Sequence, residues 1–112
     1  VSAGYACGAA ITYMLGGNFN QIANTIINTL ANTSGIICDG AKPSCAAKIS
    51  SALDAALLAH TMSMHDDVFH ADEGIVKDDL EKTIRAVGYI GREGMKSTDI
   101  EVLNIMIDKV CP

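Results

Sequence analysis

Residues 45–63, CAAKISSALDAALLAHTMS, constrain the fold more than any other stretch. They hold no Pro or Gly, are rich in Ala, and place apolar side chains on nearly every helical face, which predicts a central helix buried among others. They do not predict a membrane span, because Lys48, Asp54 and three serines interrupt the run and no 18-residue uncharged stretch exists. The rest of the chain supplies no aromatic core for a β-sandwich or barrel: Trp is absent and aromatics are 4% of 112 residues. Ala, Ile, Leu, Val and Met must therefore build the interior, and the expected class is all-α, a single segment of about five helices.

Helical periodicity places the others. Residues 3–15 are small and apolar up to Gly16-Gly17, and their small side chains allow a close neighbouring backbone. Asn18 and Gln21 have capping-box spacing before Ile22, Ile26 and Leu30, which predicts a helix over 19–32. A Gly/Asp-Gly/Pro loop covers 35–44, and Ser44 is the expected N-cap of the Ala-rich helix. After an acidic, irregular stretch over 64–76, the period returns at Leu80, Ile84 and Val87, with Asp78 and Glu81 at capping-box spacing. Gly88, Gly91 and Gly94 end that helix or permit close helix contact. Thr98 and Glu101 predict a capping box for a last helix over 99–110, with Ile100, Leu103, Ile107 and Val110 inward.

A net charge of −5 supplies no cationic field, so neither nucleic acid nor an anionic membrane is an expected partner. No basic region followed by an apolar run opens the sequence, and the chain reads as cytoplasmic with reduced thiols. It begins with Val inside what reads as a structured segment, so a longer parent polypeptide is expected.

The four cysteines, Cys7, Cys38, Cys45 and Cys111, leave several readings open. Three disulfide connectivities are possible. Cys38 and Cys45 form a C-x6-C pair that leads into a helix N-terminus, where backbone N–H groups and the helix dipole favour an anionic sulfur. With Cys7 they could converge on one iron–sulfur cluster, although the spacing matches no common ferredoxin or zinc-finger pattern. From spacing alone the plainer reading is that they are small buried hydrophobes.

The stretch GIICDGAKPSCAAKI (Gly35–Ile49), with CGAA upstream at 7–10 and GYIGREGMKSTDIEVLNIM at 88–106, resembles the iron–sulfur L-serine dehydratase α-chain family. The similarity covers almost the whole chain. It is nearest to the L-cysteine desulfidase branch and its bacterial relatives, since the dehydratases space the second and third cysteines more widely.

The resemblance implies a [4Fe–4S] cluster on Cys7, Cys38 and Cys45 with one iron open as a Lewis acid, and elimination of hydrogen sulfide or water from L-cysteine or L-serine to give pyruvate and ammonia. It implies that an upstream N-terminal part of the same enzyme supplies substrate-binding groups and the base, so the isolated segment is expected to be inactive. Cys111 is a candidate internal ligand. Lys42 and Lys48 flank the pair and could balance charge or hold a substrate carboxylate. Asp39 and Asp54 fit turn or capping roles, and Ser50 and Ser51 fit close helix packing. His60, His65 and His70, near Asp66, Asp67 and Asp72, could take up zinc or nickel, with a solvated acidic loop the plainer reading. A different class of function remains: a stand-alone helical module with inert buried cysteines and a role in oligomerisation. Exposed faces that lack a partner would then pair two copies into a homodimer.

Overall fold

Small side chains decide how the helices of this protein meet. The computed structural model describes residues 2–108 and contains, in order, α1 (Ser2–Met14), α2 (Phe19–Thr33), α3 (Pro43–Met64), α4 (Leu80–Tyr89), a π-helical turn (Ile90–Gly94) and α5 (Lys96–Met106). Among the described residues there is no strand, so the all-α expectation holds.

α1 and α3 run parallel and almost touch. A Cβ built on Gly4 would lie 2.9 Å from the Ala52 Cβ and 3.0 Å from the Ala52 carbonyl oxygen. One turn on, a Cβ on Gly8 would lie 3.1 Å from both Ala56 and Thr25. A further turn on, Thr12 Oγ1 meets His60 Nδ1 at 2.8 Å. The register 4–52, 8–56, 12–60 is set by the glycines, since only they let two backbones approach so closely.

α2 completes a three-helix layer. Its start is as the sequence predicts: Asn18 accepts from the Gln21 backbone N–H, and the Gln21 side chain returns the bond to Asn18 N–H, both at 2.9 Å. The interior is mostly Ala and Thr. Ala52, Ala56 and Ala59 are buried with Thr12, Thr25, Thr29 and Thr33, and Ile27, Leu30 and Val76 are the larger apolar members. The loop after α3 is tied back by buried Asn28, whose Nδ2 donates to the Asp67 carbonyl and whose Oδ1 accepts from the Phe69 N–H.

Several local expectations are corrected. Lys42, not Ser44, occupies the N-cap of α3 and makes no side-chain cap bond, because Pro43 takes the first helical position and needs no N–H partner. Asp79, not Asp78, caps α4 by accepting from the Lys82 N–H. α5 begins at Lys96, continuous with the π-turn, so Thr98 lies inside the helix and caps nothing. Gly88 and Gly91 face open space rather than a packed neighbour. Ser50 and Ser51 are exposed rather than packed. α3 is buried only along its Ala stripe, while Ile49, Leu53, Leu57 and Leu58 are exposed. Likewise Ile100 and Leu103 of α5, and Ile107 just beyond its end, are exposed and do not point into a core. Val110 and Cys111 lie outside the described residues.

The whole is a slab, 50 × 29 × 17 Å. Its radius of gyration is 15.5 Å, against about 13 Å for a compact chain of this length.

Candidate cysteine site at the N-terminus of α3

The loop between α2 and α3 reverses through Gly40, whose φ of +95° is a left-handed conformation natural to glycine. This turn brings Cys38 back over the first turn of α3. Cys38, Asp39 and Gly40 from the loop, with Cys45, Lys48 and Ile49 from the helix, line one pocket of about 120 Å³. Cys38 is exposed and Cys45 is half-buried. On its other side the loop meets α5, where Asp99, Leu103 and Met106 share a second hollow with Cys38.

One charged pair frames the pocket. Lys48 Nζ donates to Asp39 Oδ1 at 2.7 Å, bridging helix and loop. That hydrogen bond, helped by the lysine charge, holds the Asp39 carboxyl below the usual aspartate range. A lowered folded-state value means that the Asp39 contribution to stability is complete at neutral pH. It is lost as pH falls through that lowered value. In Lys48→Met, the Asp39 carboxyl is expected to titrate back toward the ordinary aspartate position, followed by carboxyl-carbon NMR. An unmoved titration would show that the pair has no electrostatic consequence.

The helix end itself offers the thiols less than the sequence suggests. Pro43 has no N–H, and the Cys45 N–H is already donated to the Lys42 carbonyl at 2.8 Å. The positive charge beside the two sulfurs is therefore the Lys48 ammonium. Lys42 is exposed and does not line the pocket.

Cys7 stands apart from this pair. It is exposed on α1, three residues beyond Gly4, which is level with Ala52. With parallel axes, that register separates Cys7 from Cys45 by about 15 Å along the helices. Among the described residues no three His, Cys, Asp or Glu side chains come together closely enough to hold a metal ion. The structure thus joins two of the expected thiols and leaves the third outside, for the same reason that α1 and α3 pack so well: the glycine register fixes their offset. Cys38 and Cys45 are two of the three thiol ligands that the resemblance implies, and a third ligand would have to reach this pocket from elsewhere. The picture of inert buried cysteines is not met, since Cys7 and Cys38 are exposed.

Two of the three histidines, His60 and His65, are engaged elsewhere. His65 Nδ1 contacts the Thr61 carbonyl at 2.9 Å. His60 ends a buried polar chain that composition and spacing did not reveal: His60 Nδ1 to Thr12 Oγ1, Thr12 to Thr25 Oγ1 at 2.9 Å, and Thr25 to Ser63 Oγ at 2.6 Å. Each hydroxyl also reaches a helix carbonyl, of Gly8, Gln21 and His60 respectively. The signal available was Thr12, Thr25 and Ser63 on faces otherwise read as apolar. A larger hollow of about 340 Å³ between α1, α2 and α4, lined by Tyr5, Leu30, Ile84 and Val87, contains no cysteine or carboxylate.

The comparison with known families now bears on the pocket. The profile of the family described as serine dehydratase alpha chain matches residues 1–104. The chain belongs to the serine dehydratase alpha chain family. Similar members include a UPF0597 protein of Treponema denticola, 56% identical over 107 residues, which are 96% of this chain and 25% of that protein. Another, from Finegoldia magna, is 53% identical over 108 residues, 96% of this chain and 26% of its own length. A third, from Desulfitobacterium hafniense, is 48% identical over 109 residues, 97% of this chain and 25% of its own length. The chain therefore spans about a quarter of the relatives it matches. No solved structure matches. Among the described residues no helix is long and apolar enough to cross a membrane.

Proposed function

We propose that this chain is the C-terminal, cluster-holding part of a cytoplasmic iron–sulfur lyase that eliminates hydrogen sulfide from L-cysteine, or water from L-serine, giving pyruvate and ammonia. Membership of the serine dehydratase alpha chain family supports a lyase-related role. The observation that carries the finer reading is the pairing of Cys38 and Cys45 in one pocket beside Lys48.

On this reading Cys38 and Cys45 would be two of the residues that hold the cluster, and the remaining ligands would come from the rest of the polypeptide. The chemistry such a [4Fe–4S] cluster would supply when bound is Lewis acidity. Lys48 serves the pocket as a fixed positive charge, held by Asp39 at 2.7 Å. A substrate carboxylate that entered the pocket would compete with Asp39 for that ammonium. The base that removes the α-proton belongs to the part of the enzyme outside this chain, so the isolated segment is inactive.

The test is anaerobic reconstitution of the whole polypeptide. The expected product is brown, absorbs near ~400 nm and holds about four irons per chain. Cys38→Ser and Cys45→Ser are each expected to lose that absorbance and lower pyruvate formation by at least about 100-fold. Cys7→Ser is expected to keep both, because of its distance from the pair. Release of sulfide from L-cysteine, measured beside pyruvate from L-serine, identifies the substrate. Wild-type iron content and turnover in both Cys38→Ser and Cys45→Ser would overturn the proposal.

A further inference from the structure

The outer face of α3 is apolar and unpartnered. Ile49, Leu53, Leu57 and Met64 recur at helical spacing on one side of the helix and are between 36% and 53% exposed. Within the described residues the helices that pack against α3 are α1 and α2, and its buried stripe of Ala52, Ala55, Ala56 and Ala59 is centred about 110° around the helix from the ridge. The exposed ridge runs for about 22 Å along the axis. Its neighbouring charges, Lys48 and Asp54, lie off the ridge on other faces of the helix.

We infer that this ridge is the surface on which the rest of the same polypeptide packs, through an apolar helix or sheet face. Three observations choose that occupant. Relatives extend over about four times the length of this chain, so a body some three times its size must be accommodated. The slab is 17 Å thick, too thin to bury both sides of its layers by itself. The ridge has the i, i+4, i+8 pattern that interdigitates with another helix, and the sequence spends four large apolar side chains on it where a solvated helix would place polar ones. A second apolar series, Ile100 and Leu103 on α5 with Ile107 at its C-cap, is open in the same way. The inference rests on family membership and relative length and not on lyase chemistry, so the two fail separately.

Hydroxyl-radical footprinting of the whole polypeptide tests it. Leu53, Leu57 and Met64 are expected to be oxidised at least about tenfold more slowly than in the urea-denatured protein, in a sample shown to be monomeric by light scattering. A second arm uses Leu53→Asp/Leu57→Asp, with Arg85→Asp on exposed α4 as control. The double variant is expected to increase protease cleavage between this segment and the rest by about tenfold, with the control unchanged. If the double variant does not fold, wild-type footprinting still decides. Oxidation as fast as in the denatured chain would overturn the inference. So would protection present in a dimer and lost on dilution to the monomer, which would assign the ridge to a second copy.

Discussion

Gly4→Val is expected to destabilise the helical layer by about 3 kcal/mol, at the upper end of typical overpacking costs. Even a single Cβ at this position would meet the Ala52 side chain at 2.9 Å and the Ala52 carbonyl at 3.0 Å. The obstacle is backbone, which cannot rotate away as a long side chain can. Relief requires α1 to lift from α3, and that motion would also stretch the Thr12–His60 contact two turns on. Gly88→Val is the matched control, because a Cβ there meets nothing within 4 Å. Equal urea midpoints for Gly4→Val and wild type would show that α1 and α3 are not locked in this register.

Thr25→Val is expected to cost about 2–3 kcal/mol, although it preserves shape and adds no volume. Thr25 is fully buried, and its hydroxyl is the hub between Thr12 and Ser63. The valine removes one contact from each neighbour, leaving Ser63 its bond to the His60 carbonyl and Thr12 its bonds to the Gly8 carbonyl and His60, in a place water does not reach. Thr25→Ser, which keeps the oxygen, is expected to retain most of the stability. In Thr25→Val/Ser63→Ala, the Thr25–Ser63 bond is already lost in either single variant, so the combined loss should be smaller than the sum of the single losses. Strict additivity in thermal unfolding would mean that the chain of hydroxyls is not a coupled unit.

Much of the helical layer was legible in the sequence because local signals governed it. Asn18 and Gln21 act within one turn, and the Gly/Ala spacing of residues 4–8 and 52–56 announces close packing whatever surrounds it. α5 was misjudged for the opposite reason. Its apolar periodicity is genuine, but periodicity says only that a face is meant to be covered and not by what. The same applies to α3, whose apolar residues outnumber the neighbours this segment can offer. The π-turn at Ile90–Gly94 is hidden in the sequence, because the glycines and the Thr98–Glu101 spacing read as a stop and a fresh start where the backbone runs on into Lys96.

At the site, the Cys38–Cys45 pairing follows from a short loop that cannot carry its ends far apart. The position of Cys7 depends on the offset between two helices nearly fifty residues apart, and nothing in either segment alone encodes that offset in relation to a sulfur. Family resemblance therefore located the cysteine region, while the relation among the three thiols had to come from the fold.

The alanine, threonine and glycine interior has a thermodynamic consequence. Hydrocarbon withdrawn from water sets both the heat-capacity increment of unfolding and the steepness of its response to denaturant. Among the described residues only Ile27, Leu30 and Val76 are larger buried apolar side chains, and an interior of that kind withdraws little. This layer is consequently held by shape and polar pairing more than by solvent aversion, and its stability curve is flatter with temperature than that of a leucine-rich bundle of equal length.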